Sequence, residues 1–215
     1  MVKNTQSDFF FQAAEKLNIP LMNEVALKFE TYFQELIAWN KKVNLTRIIE
    51  RKKVFIDHFL DSLIPARFIP PKSSLVDLGS GGGFPGIPLK ILRPDLSVTL
   101  VDSSLKKCLF LRHLIRSLAL REIFVLQERL ENENALGNHY DVCISRAFAP
   151  LGNFLSVALP LRETKGMLVA MKGPNFLKEL KIIEPRLSKW GISIKQLEKF
   201  SLPFTNKSRA IIVFG

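Results

Sequence analysis

Apolar residues along the chain follow two different spacings, and the change between them falls near residue 70. Up to that point they recur at helical spacing, which predicts a group of helices. Examples of this spacing are Phe29, Tyr32, Phe33, Leu36 and Ile37. From residue 75 onward, short apolar runs alternate with segments of helical periodicity. We therefore predict an N-terminal helical cap over residues 1–70 and an α/β domain over residues 71–215.

The second region alternates strands with helices, and this order predicts its architecture. After an apolar run at 75–76, predicted strands cover Val98–Val101, Ile123–Leu126, Val142–Ser145 and Met167–Met171. Predicted helices lie at Leu105–Leu120, near Leu130, near Phe154–Leu159 and at Phe176–Leu187. Such alternation predicts a parallel, doubly wound, Rossmann-like sheet. The last two runs, Ile192–Phe200 and Ala210–Phe214, resemble a terminal strand pair, which is typical of class I methyltransferases rather than dehydrogenases.

The most specific motif lies between the first two predicted strands. Residues 75–89 read LVDLGSGGGFPGIPL, a strand followed by a glycine loop and the start of a helix. Gly79 and Gly81 lack a Cβ and tolerate unusual backbone angles, so the loop can close around a ligand. Asp102 ends the next strand at the offset expected of a carboxylate that binds ribose hydroxyls. The motif therefore predicts a βαβ unit that binds a nucleoside cofactor.

Two cofactor classes fit this unit, and they differ in charge. The spacing Gly81-x-Gly83-x-x-Gly86 also satisfies the dinucleotide fingerprint, so an NAD-dependent oxidoreductase is one alternative. Asp77 precedes the loop, where its carboxylate would face the pyrophosphate of such a cofactor. S-adenosylmethionine carries a sulfonium and an ammonium and has no phosphate, so an acid beside the glycines favours it. We expect S-adenosylmethionine.

The charge balance adds a second indication. The chain has 31 Lys and Arg against 20 Asp and Glu, a net charge of +11. A surface this basic attracts polyanions, which favours nucleic acid over a small molecule as the partner. Residues 41–53 form a basic block whose only acid is Glu50. Its basic residues are Lys41, Lys42, Arg47, Arg51, Lys52 and Lys53. This block is either a solvated face or part of an RNA-binding surface.

Other features limit the cell compartment and the cofactors. No apolar run is long enough to span a bilayer, and the N-terminus lacks an export signal. Cys108 and Cys143 are far apart in apolar runs, as expected of reduced core residues in a cytoplasmic protein. The three histidines are scattered, so a metal site has little support. We expect a cytoplasmic monomer without a membrane anchor or a metal.

The remaining chemistry is limited by missing motifs. The chain has no Asn-Pro-Pro-Tyr segment for methylation of an exocyclic amine, and Cys143 lies inside a strand, which disfavours a covalent mechanism at a pyrimidine carbon. Such a site suits an acceptor atom that is already nucleophilic. Guanine N7 is such an atom, because it loses no proton when it is methylated. Arg146 either holds the guanine or the donor's carboxylate, or caps its strand through an ion pair.

Five segments together resemble the RsmG (GidB) family of 16S ribosomal RNA guanine-N7 methyltransferases. They are WNKKVNLT at 39–46, HFLDSL at 58–63, DLGSGGGFPGIPL at 77–89, SRAF at 145–148 and KG at 172–173. The resemblance implies methylation of N7 of a guanosine in the 530 loop, position 527 in the usual RNA numbering, with 16S ribosomal RNA or the 30S subunit as partner. It also implies a donor site that includes Gly79, Phe84, Leu130, Glu131 and Arg146. Leu130 departs from the alanine of many relatives.

The cap residues of these segments have structural interpretations as well. We expect Trp39 in the core, and Asn40 and Asn44 either at a helix end or against RNA. His58 and Asp61 share a helical face and are predicted to form a hydrogen-bonded pair at the junction between cap and domain. A ribosome-assembly or RNA-binding factor with a vestigial cofactor pocket remains the third hypothesis.

Overall fold

Helices form the N-terminal part of the chain in a computed structural model, which describes residues 8–129 and 139–215. Helix α1 covers Asp8–Glu15 and α2 covers Asn23–Asn40. The buried positions of α2 follow helical spacing, as predicted, and are Val25, Ala26, Phe29, Tyr32 and Leu36. A third helical segment, α3 (51–68), is α-helical at Arg51–Val54, π-helical at Phe55–Leu60, α-helical at Asp61–Leu63 and 3₁₀-helical at Ile64–Phe68.

The described residues after position 70 form one sheet of seven strands. The strands are β1 (Ser74–Leu78), β2 (Ser97–Asp102), β3 (Ile123–Gln127), β4 (Tyr140–Arg146), β5 (Arg162–Lys172), β6 (Ile194–Ser201) and β7 (Ser208–Phe214). Their order is β3-β2-β1-β4-β5-β7-β6. The first five strands pair in parallel, and β7 pairs antiparallel with both β5 and β6. Strand order therefore reverses between β1 and β4, where a doubly wound sheet binds its ligand.

Helices cover both faces of the sheet. The later helices are α4 (Gly86–Leu92), α5 (Leu105–Ser117), α6 (Leu151–Ala158) and α7 (Phe176–Leu187). The cap, α4 and α5 pack on one face, whereas α6 and α7 pack on the other. Alternate residues of a strand point to opposite faces of the sheet. Leu75 therefore packs in the core under the cap, α4 and α5, and Val76 packs in the core under α6 and α7.

The predicted fold class is confirmed in its main elements. Every predicted strand and every predicted helix within the described residues is present, and the terminal pair is the antiparallel hairpin β6–β7. The helix predicted near Leu130 lies outside the described residues. One apolar core runs from the cap through the rings of Tyr32, Phe59 and Phe84 into the sheet. The boundary predicted at residue 70 falls in the turn before β1.

Candidate active site

Two adjoining cavities lie at the carboxyl ends of the parallel strands. The larger has a volume of about 450 Å³ and lies between the glycine loop after β1 and the cap segment α3. The second has a volume of about 390 Å³ and lies over the ends of β2 and β3. Gly79 and Ala147 line both cavities. Because the two share a wall, one extended ligand can occupy both.

The structure brings the described residues of the predicted site to these two cavities. The larger cavity is lined by four of them, Gly79, Gly81, Phe84 and Arg146. Asp102 lines the second cavity. The other two predicted residues, Leu130 and Glu131, lie outside the described residues.

The glycine loop presents bare backbone to the larger cavity. Gly79 and Gly81 have φ values of +76° and +56°, in the region that favours glycine. A Cβ on Gly81 would approach only the Gly79 carbonyl oxygen, at 3.9 Å, so this position faces open space. A Cβ on Gly79 would instead collide with the ring of Phe148. The loop therefore provides a cradle that a side chain would fill, which fits a ligand that approaches the backbone closely.

Asp102 joins this loop to the end of β2. Its Oδ2 accepts a hydrogen bond from the Gly81 N–H at 2.9 Å, and its Oδ1 accepts one from the Ser104 N–H at 2.9 Å. Lys107 lies 3.9 Å from Oδ2. Each carboxylate oxygen keeps a further lone pair after these contacts. Asp102 can therefore still accept hydrogen bonds from two hydroxyl groups of a ligand in the second cavity.

Asp77 takes a different position from the one that its place in the motif suggests. It lies on the same face of β1 as Leu75, is fully buried, and lines neither of the two cavities. Its Oδ2 accepts a hydrogen bond from the Gly86 N–H at 2.8 Å. Burial raises the pKa of this carboxyl to about 7. Asp77 therefore anchors the start of α4 beneath the loop rather than facing a ligand directly.

Phe84 forms an aromatic floor under the larger cavity. The His58 ring stacks on it at a centroid distance of 4.7 Å, and the Tyr32 ring stacks at 5.5 Å. The Arg146 guanidinium carbon lies 4.7 Å from the centroid of the same ring. Tyr32 also donates a hydrogen bond to the Gly82 carbonyl at 2.5 Å. The cap thus holds the glycine loop from below through stacked rings.

Arg146 connects the end of β4 to the cap. Its Nη1 donates to the carbonyl oxygens of Asp57 at 3.0 Å and His58 at 3.4 Å. The same nitrogen lies 3.4 Å from Oδ2 of Asp61. Arg146 therefore forms the ion pair expected of a residue that caps its strand. It also lines the cavity, where it can contact a ligand.

The contact with Arg146 fixes the state of His58. Arg146 Nη2 lies 3.2 Å from His58 Nδ1, and a guanidinium can only donate, so Nδ1 accepts. The ring proton then resides on Nε2, which lies 2.7 Å from the Thr46 hydroxyl oxygen. Burial, with the nearby charge of Arg146, lowers the pKa of His58 to about 3. His58 is therefore a neutral, positioned ring.

His58 and Asp61 both lie on α3, where Arg146 from the end of β4 contacts their side chains. Within the described part of the chain, however, no hydrogen bond joins them directly. Arg146 contacts both side chains and so connects them. The prediction of a direct pair is therefore corrected to a pair bridged by arginine, since Nη2 of Arg146 donates to His58 Nδ1 and its Nη1 donates to the Asp61 carboxylate.

The sequence patterns do not predict several charged residues of the larger cavity. Asp57 forms an ion pair with Lys207 at 2.5 Å, and Arg209 lies 3.4 Å from Asp61. Lys172, from the KG segment, donates to Glu179 at 2.8 Å and to the Ala149 carbonyl. The available signal is the pair of acids at 57 and 61 inside a mostly apolar segment. The basic partners come from β7 and its preceding turn, far along the chain.

The remaining cap residues of the motif have mostly structural contacts. The Trp39 ring packs on Phe110 at 5.7 Å and is partly buried, which agrees with the predicted core role. Asn40 accepts hydrogen bonds from the backbone N–H groups of Leu45 and Thr46 and donates to the Thr46 carbonyl. Asn40 therefore holds the loop after α2, whereas Asn44 is exposed.

The described part of the chain contains neither a metal-ligand cluster nor a membrane-spanning helix. Among residues 8–129 and 139–215, no group of three or more His, Cys, Asp or Glu side chains could hold a metal ion. In the same part of the chain, no helix is both long enough and apolar enough to cross a membrane.

The sheet order, the terminal antiparallel hairpin and the glycine-loop cavity together define a class I methyltransferase fold. Solved structures with this fold include the glycopeptide N-methyltransferase MtfA, with a TM-score of 0.58, 10% identity and coverage of 72% of this chain and 88% of that one. They also include M. jannaschii TYW2 in complex with AdoMet, with a TM-score of 0.57, 13% identity and coverage of 80% and 78%.

Sequence comparison identifies the family. The family model described as rRNA small subunit methyltransferase G (GidB) matches residues 26–211, and the chain belongs to this family. A relative from Desulforamulus reducens, named ribosomal RNA small subunit methyltransferase G, is 39% identical over 94% of this chain and 86% of its own length. One of the same name from Geobacter metallireducens is 38% identical over 97% and 95%. The predicted family is confirmed, and membership in it removes the NAD-dependent alternative.

Proposed function

We propose that this protein transfers a methyl group from S-adenosylmethionine to N7 of a guanosine in 16S ribosomal RNA, position 527 in the 530 loop. The observation that carries the proposal is the family match over residues 26–211, combined with two cavities that share the Gly79 wall. One cavity suits a nucleoside and the other is large enough for the second reactant. The partner is 16S ribosomal RNA, alone or in the 30S subunit.

The residues present fit the donor. Gly81 leaves open space that a side chain would fill, and Asp102 keeps lone pairs for ribose hydroxyls at the second cavity. When bound, S-adenosylmethionine supplies an electrophilic methyl group on a sulfonium. Asp102 and the Gly79 backbone orient the nucleoside half in the second cavity. Phe84 and Arg146 bound the larger cavity, where the acceptor base must enter.

The acceptor side requires alignment rather than proton removal. Guanine N7 has a free lone pair and loses no proton when it is methylated, so no general base is needed. His58 is the histidine that lines the larger cavity, and its lowered pKa keeps it neutral. Its ring instead stacks on Phe84 and accepts from Arg146. These residues position the base and exclude water.

The net charge of +11 suits an RNA substrate. We propose that the protein is a monomer that acts on the small subunit or its precursor in the cytoplasm. The remaining alternative is an assembly factor that binds RNA without turnover. Methyl transfer separates the two functions.

The decisive experiment uses labelled S-adenosylmethionine and small subunits from a strain that lacks this gene. We expect incorporation of one methyl group per subunit. Subunits from the parent strain, already modified, are the control and should take up none. Binding of the subunits without incorporation would favour the assembly factor.

A further inference from the structure

Two buried acids of the cap face the larger cavity with part of their hydrogen-bonding capacity unused. Asp57 and Asp61 line this cavity, and each residue is only 3% exposed. In each carboxylate, Oδ1 is buried and makes no hydrogen bond to any residue the structure describes. A buried carboxylate oxygen without a donor is costly, and such groups in proteins nearly always have a partner. A ligand that carries hydrogen-bond donors would supply what these oxygens lack.

The two acids differ in how well their other oxygen is paired. Asp57 Oδ2 is 2.5 Å from Lys207, a close ion pair. Asp61 Oδ2 has two cationic neighbours, Arg146 and Arg209, but each is 3.4 Å away, at the long end for a hydrogen bond. Burial also raises the pKa of Asp61 despite these cations. Asp61 is therefore the acid whose existing contacts are longer, and they are more easily replaced by hydrogen bonds from a ligand.

Asp61 is also tied to the end of the sheet where the reaction must occur. Arg146 contacts it from the carboxyl end of β4, next to the glycine loop and Phe84. A base that enters the larger cavity from outside would therefore have the glycine loop on one side and Asp61 on another. A purine that turns its N7 towards the loop presents its opposite edge, with N1 and the C2 substituent, to the cap.

We propose that Asp61 selects guanine by accepting hydrogen bonds from its N1–H and its exocyclic N2 amino group. The inference rests on the proposed function and adds a specificity-determining residue to it. Among the four bases only guanine has two adjacent donors on its Watson–Crick edge, and they match the two acceptors of a carboxylate. Adenine presents an acceptor at N1, whose lone pair would face the negative carboxylate. Asp61 therefore favours guanine and disfavours adenine.

A structural role for Asp61 is the competing explanation, because it also pairs with two arginines. The test therefore changes the base as well as the protein. Inosine keeps N1–H, O6 and N7 but lacks the N2 amino group, so it removes one of the two donors. The substrates are 30S subunits reconstituted with 16S ribosomal RNA that carries either guanosine or inosine at the target position. The quantity measured is the ratio of the two rates of methyl transfer, which cancels any general loss of activity.

For the wild-type protein we expect inosine to be methylated about 10- to 100-fold more slowly than guanosine, as for loss of one hydrogen bond to a charged acceptor. In Asp61→Asn the ratio should fall to within about threefold, because the charge and one acceptor are gone. Asp57→Asn is the matched control, and it should keep the wild-type ratio whatever its total activity. If Asp61→Asn turns over too slowly, the ratio of the dissociation constants of the same two subunits, measured with S-adenosylhomocysteine present, replaces the ratio of rates. Calorimetric binding of S-adenosylhomocysteine shows that each variant is folded.

The outcomes separate this inference from the proposed function. A wild-type protein that does not methylate guanosine subunits at all would overturn the proposed function. Normal methylation of guanosine without an inosine penalty would overturn only the role of Asp61, as would a penalty that persists in Asp61→Asn. Loss of the penalty in Asp57→Asn would assign recognition to Asp57 instead.

Discussion

The guanidinium of Arg146 donates to Nδ1 of His58 across 3.2 Å, and this contact joins the end of β4 to the cap. It fixes the His58 tautomer and leaves Nε2 to donate to Thr46 at 2.7 Å. Arg146 also satisfies the carbonyl oxygens of Asp57 and His58. Arg146 is therefore one of the residues that join the cap to the sheet, and it also borders the cavity.

Removal of this arginine should lower activity strongly. Arg146→Ala should reduce the rate of methyl transfer by about two orders of magnitude, on the order of 3 kcal/mol, because the groups that it holds lose their positions. Arg112→Ala, at an exposed arginine of α5, is the control and should keep the wild-type rate. Single-turnover rates at saturating substrate check the prediction. Full activity of Arg146→Ala would show that the residue only caps its strand.

The glycine loop offers a test of donor binding with a closely matched control. Gly81 and Gly191 have similar left-handed φ values of +56° and +64°. Alanine should strain both positions about equally, by roughly 1 kcal/mol. Only Gly81 lines the larger cavity, so Gly81→Ala should weaken S-adenosylmethionine binding at least tenfold, whereas Gly191→Ala should leave it unchanged. Calorimetry measures both affinities, and equal losses would show that backbone strain rather than contact is responsible.

The outcomes at Gly79, Asp102 and Asp77 show what the sequence can predict. Gly79 and Asp102 lie at strand ends, where local chain geometry alone directs them to the carboxyl edge of a parallel sheet. Asp77 precedes the glycine loop, and from this position alone its side chain is wrongly predicted to face the ligand. Strand alternation decides which way the side chain points. Alternation puts Asp77 on the face of Leu75, towards α4. That information is present in the sequence.

The ionic contacts of Asp57 and Asp61 could not be predicted from strand alternation. Asp57 meets Lys207 across 150 residues, and Asp61 meets Arg209 across 148. Hydrophobic periodicity predicts which face of an element is buried, but it carries no information about a polar partner on a distant strand. These contacts depend on the antiparallel return of β7 beside β5, which places its first residues next to the cap.

Buried Asp77 should make the stability of the protein fall as pH rises. Its pKa is about 7 in the folded protein, against 3.8 for an unperturbed aspartate, so between these values the folded chain holds a proton that the unfolded chain has released. The free energy of unfolding should therefore decrease across this window, on the order of 4 kcal/mol from this group. Asp77→Asn removes the contribution, so its stability relative to wild type should increase from pH 4.5 to pH 8 in urea unfolding.

Asp95 provides a control of opposite sign for that experiment. The hydrogen bond from Arg93 holds the pKa of Asp95 below its usual range, so its contribution is present above the unfolded pKa and lost as pH falls. Asp95→Asn should therefore be most destabilising at neutral pH and less so in acid. A relative stability of Asp77→Asn that does not change with pH would contradict a raised pKa for Asp77.

RNA binding should depend steeply on salt, because phosphate contacts release counterions. The basic block of the cap contributes four exposed lysines, Lys41, Lys42, Lys52 and Lys53. Reversal of these four to Glu should weaken RNA binding and reduce its salt slope. The control reverses four exposed lysines at and beyond α7, Lys178, Lys181, Lys189 and Lys195, which gives the same change in net charge. Equal effects in filter binding at several salt concentrations would show that only net charge matters.

The position of the new methyl group can be read from the chemistry of the product RNA. Methylation at N7 gives guanine a fixed positive charge, and after borohydride reduction its imidazole ring opens, so that aniline cleaves the strand there. We expect a single cut in the 530 loop, at position 527, in subunits treated with the wild-type protein and none in subunits treated without the donor. Because N7 loses no proton and His58 stays neutral, the rate at saturation should show no essential base that titrates between pH 6 and 8. Labelled methyl incorporated without a cleavable site would place it on an exocyclic amine or a carbon, and would contradict the N7 assignment.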